Sequence, residues 1–96
     1  MKRQGDLLIV KVQSIPKGAI KSASRILAEG EATGHMHELD SGEVYEKEGV
    51  LYFRVMDCNI ATLNHPEHKA IEFEPGEYKV IRQREYEPEG WRHVRD

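Results

Sequence analysis

Apolar and polar residues alternate along this chain in short runs, and no segment of about 10–12 residues keeps the 3.6-residue apolar period of an amphipathic helix. Asp6-Leu7-Leu8-Ile9-Val10-Lys11-Val12 is rich in branched residues, and its unbroken apolar stretch predicts a first strand buried on both faces. Pro16 and Gly18 end it, because proline removes a ladder donor and glycine favours a turn. Residues 21–24 carry little pattern and read as loop or a ragged edge. Arg25 to Gly30 predicts a short strand with Ile26 and Ala28 on one face. Glu31 to Leu39 predicts another, in which Thr33, His35, His37 and Leu39 share a face opposite Gly34, Met36 and Glu38.

The second half repeats the alternation. Glu43–Glu46 and Val50–Met56 flank Lys47-Glu48-Gly49, which predicts a hairpin with Leu51, Phe53 and Val55 inward. Ile60–Leu63 is a short strand. Ala70–Glu74 turns Ile71 and Phe73 inward, and after the Pro75-Gly76 turn a long strand runs from Glu77 to Tyr86 with Tyr78, Val80, Arg82 and Arg84 on one face. Trp91 and Val94 are three apart, which allows at most one short helical turn in the tail. The fold class predicted is all-β: one domain over residues 1–96, a small barrel or sandwich of about seven short strands. The apolar first strand is a candidate for pairing between copies, so a homodimer is expected.

Composition narrows the function. The chain is 39% hydrophobic and 32% charged, with a net charge of −3, and this acidic balance argues against a nucleic-acid partner. Cys58 is the single cysteine, so no intrachain disulfide forms; a buried structural thiol is its expected role, and a nucleophile the rarer alternative. The Leu7–Val10 run is too short for a signal peptide or a membrane span, so a soluble, cytoplasmic protein is expected.

The histidines carry the chemistry. Four of the five fall into two pairs, His35 with His37 and His65 with His68. On a strand, His-x-His sets two imidazoles side by side, about 6–7 Å apart at the backbone. Both nitrogens can then reach one ion at about 2.0–2.2 Å. A tight turn at Pro66-Glu67 brings His65 and His68 to one side in the same way. Four nitrogen ligands for a divalent metal (zinc, manganese, nickel or iron) are the expectation, with Glu38, Glu43 and Glu67 as further ligands or as acceptors that orient a ring. A polar structural cluster, or histidines exposed in loops, is the alternative reading. Metal-free acid–base chemistry by the pairs on a phosphodiester is a third.

Gly30, His35-Met36-His37, Glu43 and Gly49 resemble the first signature of the cupins: glycine, His-x-His, glutamate and glycine at similar spacings. The resemblance implies a small β-barrel in which His35, His37 and Glu43 bind a metal. Pro75-Gly76 resembles only the turn of the second cupin signature, with no histidine after it. The whole chain also resembles small uncharacterised bacterial and phage proteins that open near Arg3-Gln4-Gly5-Asp6 and close near Arg82-Gln83-Arg84-Glu85-Tyr86. That second likeness implies no activity. The Arg82–Tyr86 strip supplies the alternative function, a non-enzymatic module. There Arg82 and Arg84 would clamp a phosphate-bearing small molecule, nucleic acid or protein, and Tyr86 would stack on it. A solvated outer face, or an ion-paired strand with Glu77, Glu85 and Glu87 as partners, is the plainer expectation.

Overall fold

The computed structural model describes residues 1–29 and 36–82. Ten strands make up the described part: β1 (Lys2–Gln4), β2 (Leu7–Val12), β3 (Ile20–Lys21), β4 (Ile26–Glu29), β5 (Met36–Leu39), β6 (Glu43–Lys47), β7 (Val50–Val55), β8 (Ala61–His65), β9 (His68–Phe73) and β10 (Gly76–Arg82). They form two antiparallel sheets, one in the order β1-β2-β10-β7-β6-β3 and the other β4-β5-β8-β9. The arrangement is an open, sandwich-like all-β fold, not a closed barrel. Among the described residues no helix is long and apolar enough to cross a membrane.

Alternation builds the core. Leu7 and Ile9 of β2, Phe53 and Val55 of β7, and Tyr78 and Val80 of β10 face inward from the larger sheet. Leu39, Ala61, Leu63 and Phe73 meet them from the smaller one. Phe53, Phe73 and Tyr78 bridge the two layers with ring centroids 4.9–5.3 Å apart, inside the range where edge and stacked aromatic contacts are favourable. The Tyr78 hydroxyl is not stranded by this burial, because it donates to the Glu74 carbonyl at 2.6 Å.

Three expectations change. The described residues form ten strands: the eight segments read from the alternation, together with β1 and β3, which are too short to carry a recognisable one; Lys21, expected in a loop or ragged edge, pairs with Tyr45, and Ile20 with Glu46, at the edge of the larger sheet. The first long strand is no edge for a second copy along Leu7–Ile9, since β1 pairs it on one side and β10 on the other. Arg82 does not lie on an outer face: β10 puts it on the same side as the buried Tyr78 and Val80. The expected helical turn at Trp91 lies outside the described residues.

Two register shifts interrupt the smaller sheet, both beside histidines. In β4 and β5, Ile26 pairs with Glu38 and Ala28 with His37, so Leu27 is an extra residue. In β8 and β9, Leu63 pairs with Ile71 but His65 pairs with His68, so Lys69 and Ala70 stand opposite Asn64 alone. Such bulges re-aim side chains. Strict alternation from Phe73 and Ile71 would turn Lys69 inward and His68 out. The extra residue reverses that phase and brings His68 to the inner face.

Candidate functional site: a histidine cluster clamped by Gln4

Three of the four paired histidines meet at one end of the sandwich. His37 comes from β5, on the same face as buried Leu39; His65 ends β8, on the face of Leu63; His68 begins β9. The His37 and His65 ring centroids lie 4.3 Å apart, those of His65 and His68 4.5 Å, and those of His37 and His68 6.0 Å. A two-residue turn at Pro66-Glu67 sets His65 and His68 directly opposite each other. The cluster grades from interior to solvent: His37 is 5% exposed, His65 is half-buried and His68 is exposed.

Gln4, itself buried, organises the cluster. Its Nε2 donates to the Leu63 carbonyl at 3.0 Å and to the Lys69 carbonyl at 2.9 Å. Both carbonyls belong to the irregular stretch of β8 and β9. With both amide hydrogens committed, Oε1 acts only as an acceptor, and it lies 2.8 Å from Nδ1 of His37. Nδ1 of His37 therefore carries the proton, and Nε2 keeps its lone pair. Burial, reinforced by His65, holds the His37 pKa down at about 4, with Asp6 opposing and His68 and Arg82 adding to the shift. The ring is neutral at neutral pH. His65 has the opposite polarity: its Nδ1 accepts the Glu67 N–H at 3.0 Å, so its neutral form is protonated at Nε2.

The β1–β2 turn closes against these rings. Gly5 has φ +60°, and a Cβ there would stand 3.0 Å from Nε2 of His68 and 3.3 Å from Cε1 of His37. Only glycine combines that backbone with that approach at little cost. Asp6 follows, with its Oδ2 3.8 Å from Nη2 of Arg82. The Nε of Arg82 is buried without a hydrogen-bond partner among the described residues.

The remaining predicted residues fall elsewhere. Glu43 is held by the Tyr45 hydroxyl at 2.8 Å, by Lys21 at 3.1 Å and by Arg54 at 3.5 Å. These donors, Tyr45 foremost, pull its carboxyl below the usual range. Arg54 in turn reaches Glu77 at 3.0 Å, so Glu43 serves an ion-pair group on the larger sheet. Glu38 points away from His37, into a recess of about 360 Å³ that it lines with Met36, Asn64, His65 and Pro66. Glu67 sits in the exposed turn beside His65. His35, Arg84 and Tyr86 lie outside the described residues. Cys58 is exposed, not buried, with φ 66° in the turn after β7. Among the described residues no three His, Cys, Asp or Glu side chains stand ready as a ligand set for an ion.

Gln4, Gly5 and Asp6 were missed as site residues. Their signal was present in Arg3-Gln4-Gly5-Asp6, a tight turn flanked by polar groups, but nothing local tied that turn to histidines more than thirty positions away. No curated protein and no solved structure matches the chain. The cupin resemblance thus rests on the spacing around His35 and His37 alone. A family model does match residues 3–83, from the strand that carries Gln4 to just past the end of the strand that carries Arg82. The chain therefore belongs to the family described as Domain of unknown function (DUF8820).

Proposed function

We propose that the histidine cluster binds a divalent metal ion, with His37 as the fixed ligand and His65 and His68 turning to meet it. The observation that carries this reading is the Gln4 clamp. A ligating histidine commonly donates its second ring N–H to a carbonyl or carboxylate, which sets the tautomer and the ring orientation. Gln4 does this for His37 and leaves Nε2 as a neutral donor atom on a buried ring. His65 would exchange its contact with the Glu67 N–H for the ion, and His35, two residues before His37 in the sequence, is the fourth candidate ligand. The cupin likeness agrees with a metal on His35 and His37, while Glu43 is engaged elsewhere. An ion with an open position would activate water or polarise a small ligand.

Metal analysis of protein purified without a histidine tag tests the reading, together with thermal unfolding in zinc, manganese, nickel or iron(II). Binding at a hundred times Kd should stabilise the fold by about 2.7 kcal/mol, and His37→Ala should abolish that gain. Protein that purifies without metal and melts unchanged in all four ions would sink it.

An Arg82-centred anion site is the second reading, favoured by the buried Nε without a partner among the described residues. It predicts salt-dependent binding of a phosphate-bearing ligand that Arg82→Ala weakens and His37→Ala leaves intact.

A further inference from the structure

We propose that a basic recess beside the histidine cluster binds the phosphate group of a small phosphate-bearing molecule. The recess has a volume of about 260 Å³ and lies over the β1–β2 turn and the bulged start of β9. Arg3 and Lys69 border it, His68 forms one wall, and the small residues Gly5 and Ala70 line it. Among the described residues no carboxylate lines it, although the chain as a whole has a net charge of −3. The nearest acid along the turn, Asp6, is turned toward Arg82.

The local geometry explains why this recess exists. The bulge sets Lys69 and Ala70 opposite Asn64 alone, and Gln4 captures the Lys69 carbonyl from below. Lys69 is thereby anchored by its backbone while its side chain stays exposed. The positive φ of Gly5 keeps the opposite wall free of a side chain and brings the turn against Nε2 of His68. Arg3, Lys69 and His68 thus bring a guanidinium, an ammonium and an imidazole to the border of one recess. This array suits a dianionic tetrahedral group, whereas a carboxylate would leave part of it unused. The volume is below the usual range for drug-sized ligands, about 300–1,000 Å³, so the molecule attached to the phosphate is small. A phosphate held there touches the solvent-facing end of the cluster at His68, whose ring packs on His65.

The inference rests on the cluster being a functional site, and not on an ion occupying it. The test is therefore run on the full chain in EDTA. Amide resonances are followed during titration with inorganic phosphate and then with glycerol phosphate, at constant ionic strength. Saturable shifts are expected at Gly5, Lys69 and Ala70. Arg3→Ala and Lys69→Ala should each weaken binding about ten-fold, the worth of one charge-assisted hydrogen bond. Both substituted residues are exposed, so the variants retain the fold. Absence of saturable shifts, an equal response to acetate, or binding that survives the Arg3→Ala, Lys69→Ala double variant would overturn the proposal. So would an oligonucleotide that binds much more tightly than glycerol phosphate, because the recess would then be part of a nucleic-acid surface. Saturable phosphate binding without any metal uptake would uphold this inference and remove the metal reading.

Discussion

Replacing Gln4 with leucine is expected to destabilise the fold by about 2–4 kcal/mol and to weaken metal binding about 10–100-fold. The side chain is 2% exposed and serves three partners at once: the Leu63 carbonyl, the Lys69 carbonyl and Nδ1–H of His37. Leucine is close in size, so cavity formation contributes little, and the loss comes from three polar groups left without the amide. The first two are backbone carbonyls at the bulge, where the ladder between β8 and β9 is interrupted. Gln4→Glu separates the contributions. A carboxylate still accepts from His37, but it repels both carbonyls, so the two parts of the clamp come into conflict. Urea unfolding followed by circular dichroism measures the first effect and calorimetric metal titration the second. A leucine variant within about 0.5 kcal/mol of the parent would show that Gln4 is incidental.

The second large effect is acid sensitivity through His37. Burial is the leading cause of its lowered pKa, about 4 against 6.5, and the neighbouring His65, His68 and Arg82 add to it while Asp6 works against it. The unfolded chain therefore binds this proton more readily than the folded one. Stability contributed by the neutral ring is complete above about pH 7 and is lost as the pH falls from about 6.5 toward 4. The full loss is about 3 kcal/mol. Unfolding free energies measured by urea from pH 7.5 to 4.5 should slope downward below 6.5, and His37→Gln should flatten that part of the curve. Equal slopes in the two proteins would remove His37 as the cause.

Much of the sandwich was legible in the sequence because burial on one face of a strand writes itself as alternation. Leu51, Phe53 and Val55 on β7, and Ile71 and Phe73 on β9, face inward as their spacing requires. The convergence of His37 with the His65–His68 pair was also anticipated, though not its cause. Alternation fails wherever a residue is added to one strand only, and both bulges lie beside the histidines. Arg82 was misjudged for a different reason. A charged residue following Tyr78 and Val80 reads as the exposed end of a strand, yet it continues the inner face toward His37. Gln4 was illegible because its meaning is entirely tertiary: a polar residue three places from a strand pattern gives no sign that it will be buried. Glu43 shows the converse, since similar spacing to a known signature did not place it among the histidines.

The Gln4 clamp also bears on the order in which the molecule assembles. Its two carbonyl partners lie 59 and 65 positions further along the chain. Strand β2, the continuation of the same hairpin, takes its long neighbour from β10. The N-terminal hairpin consequently has no sheet to join until the last described strands exist, and its closure carries the loop entropy of nearly the whole described chain. The β6–β7 hairpin needs no such wait. The clamp that fixes the proton on His37 is therefore expected to close late in folding. The end of the molecule that carries the candidate site is then expected to form late and to open early under stress.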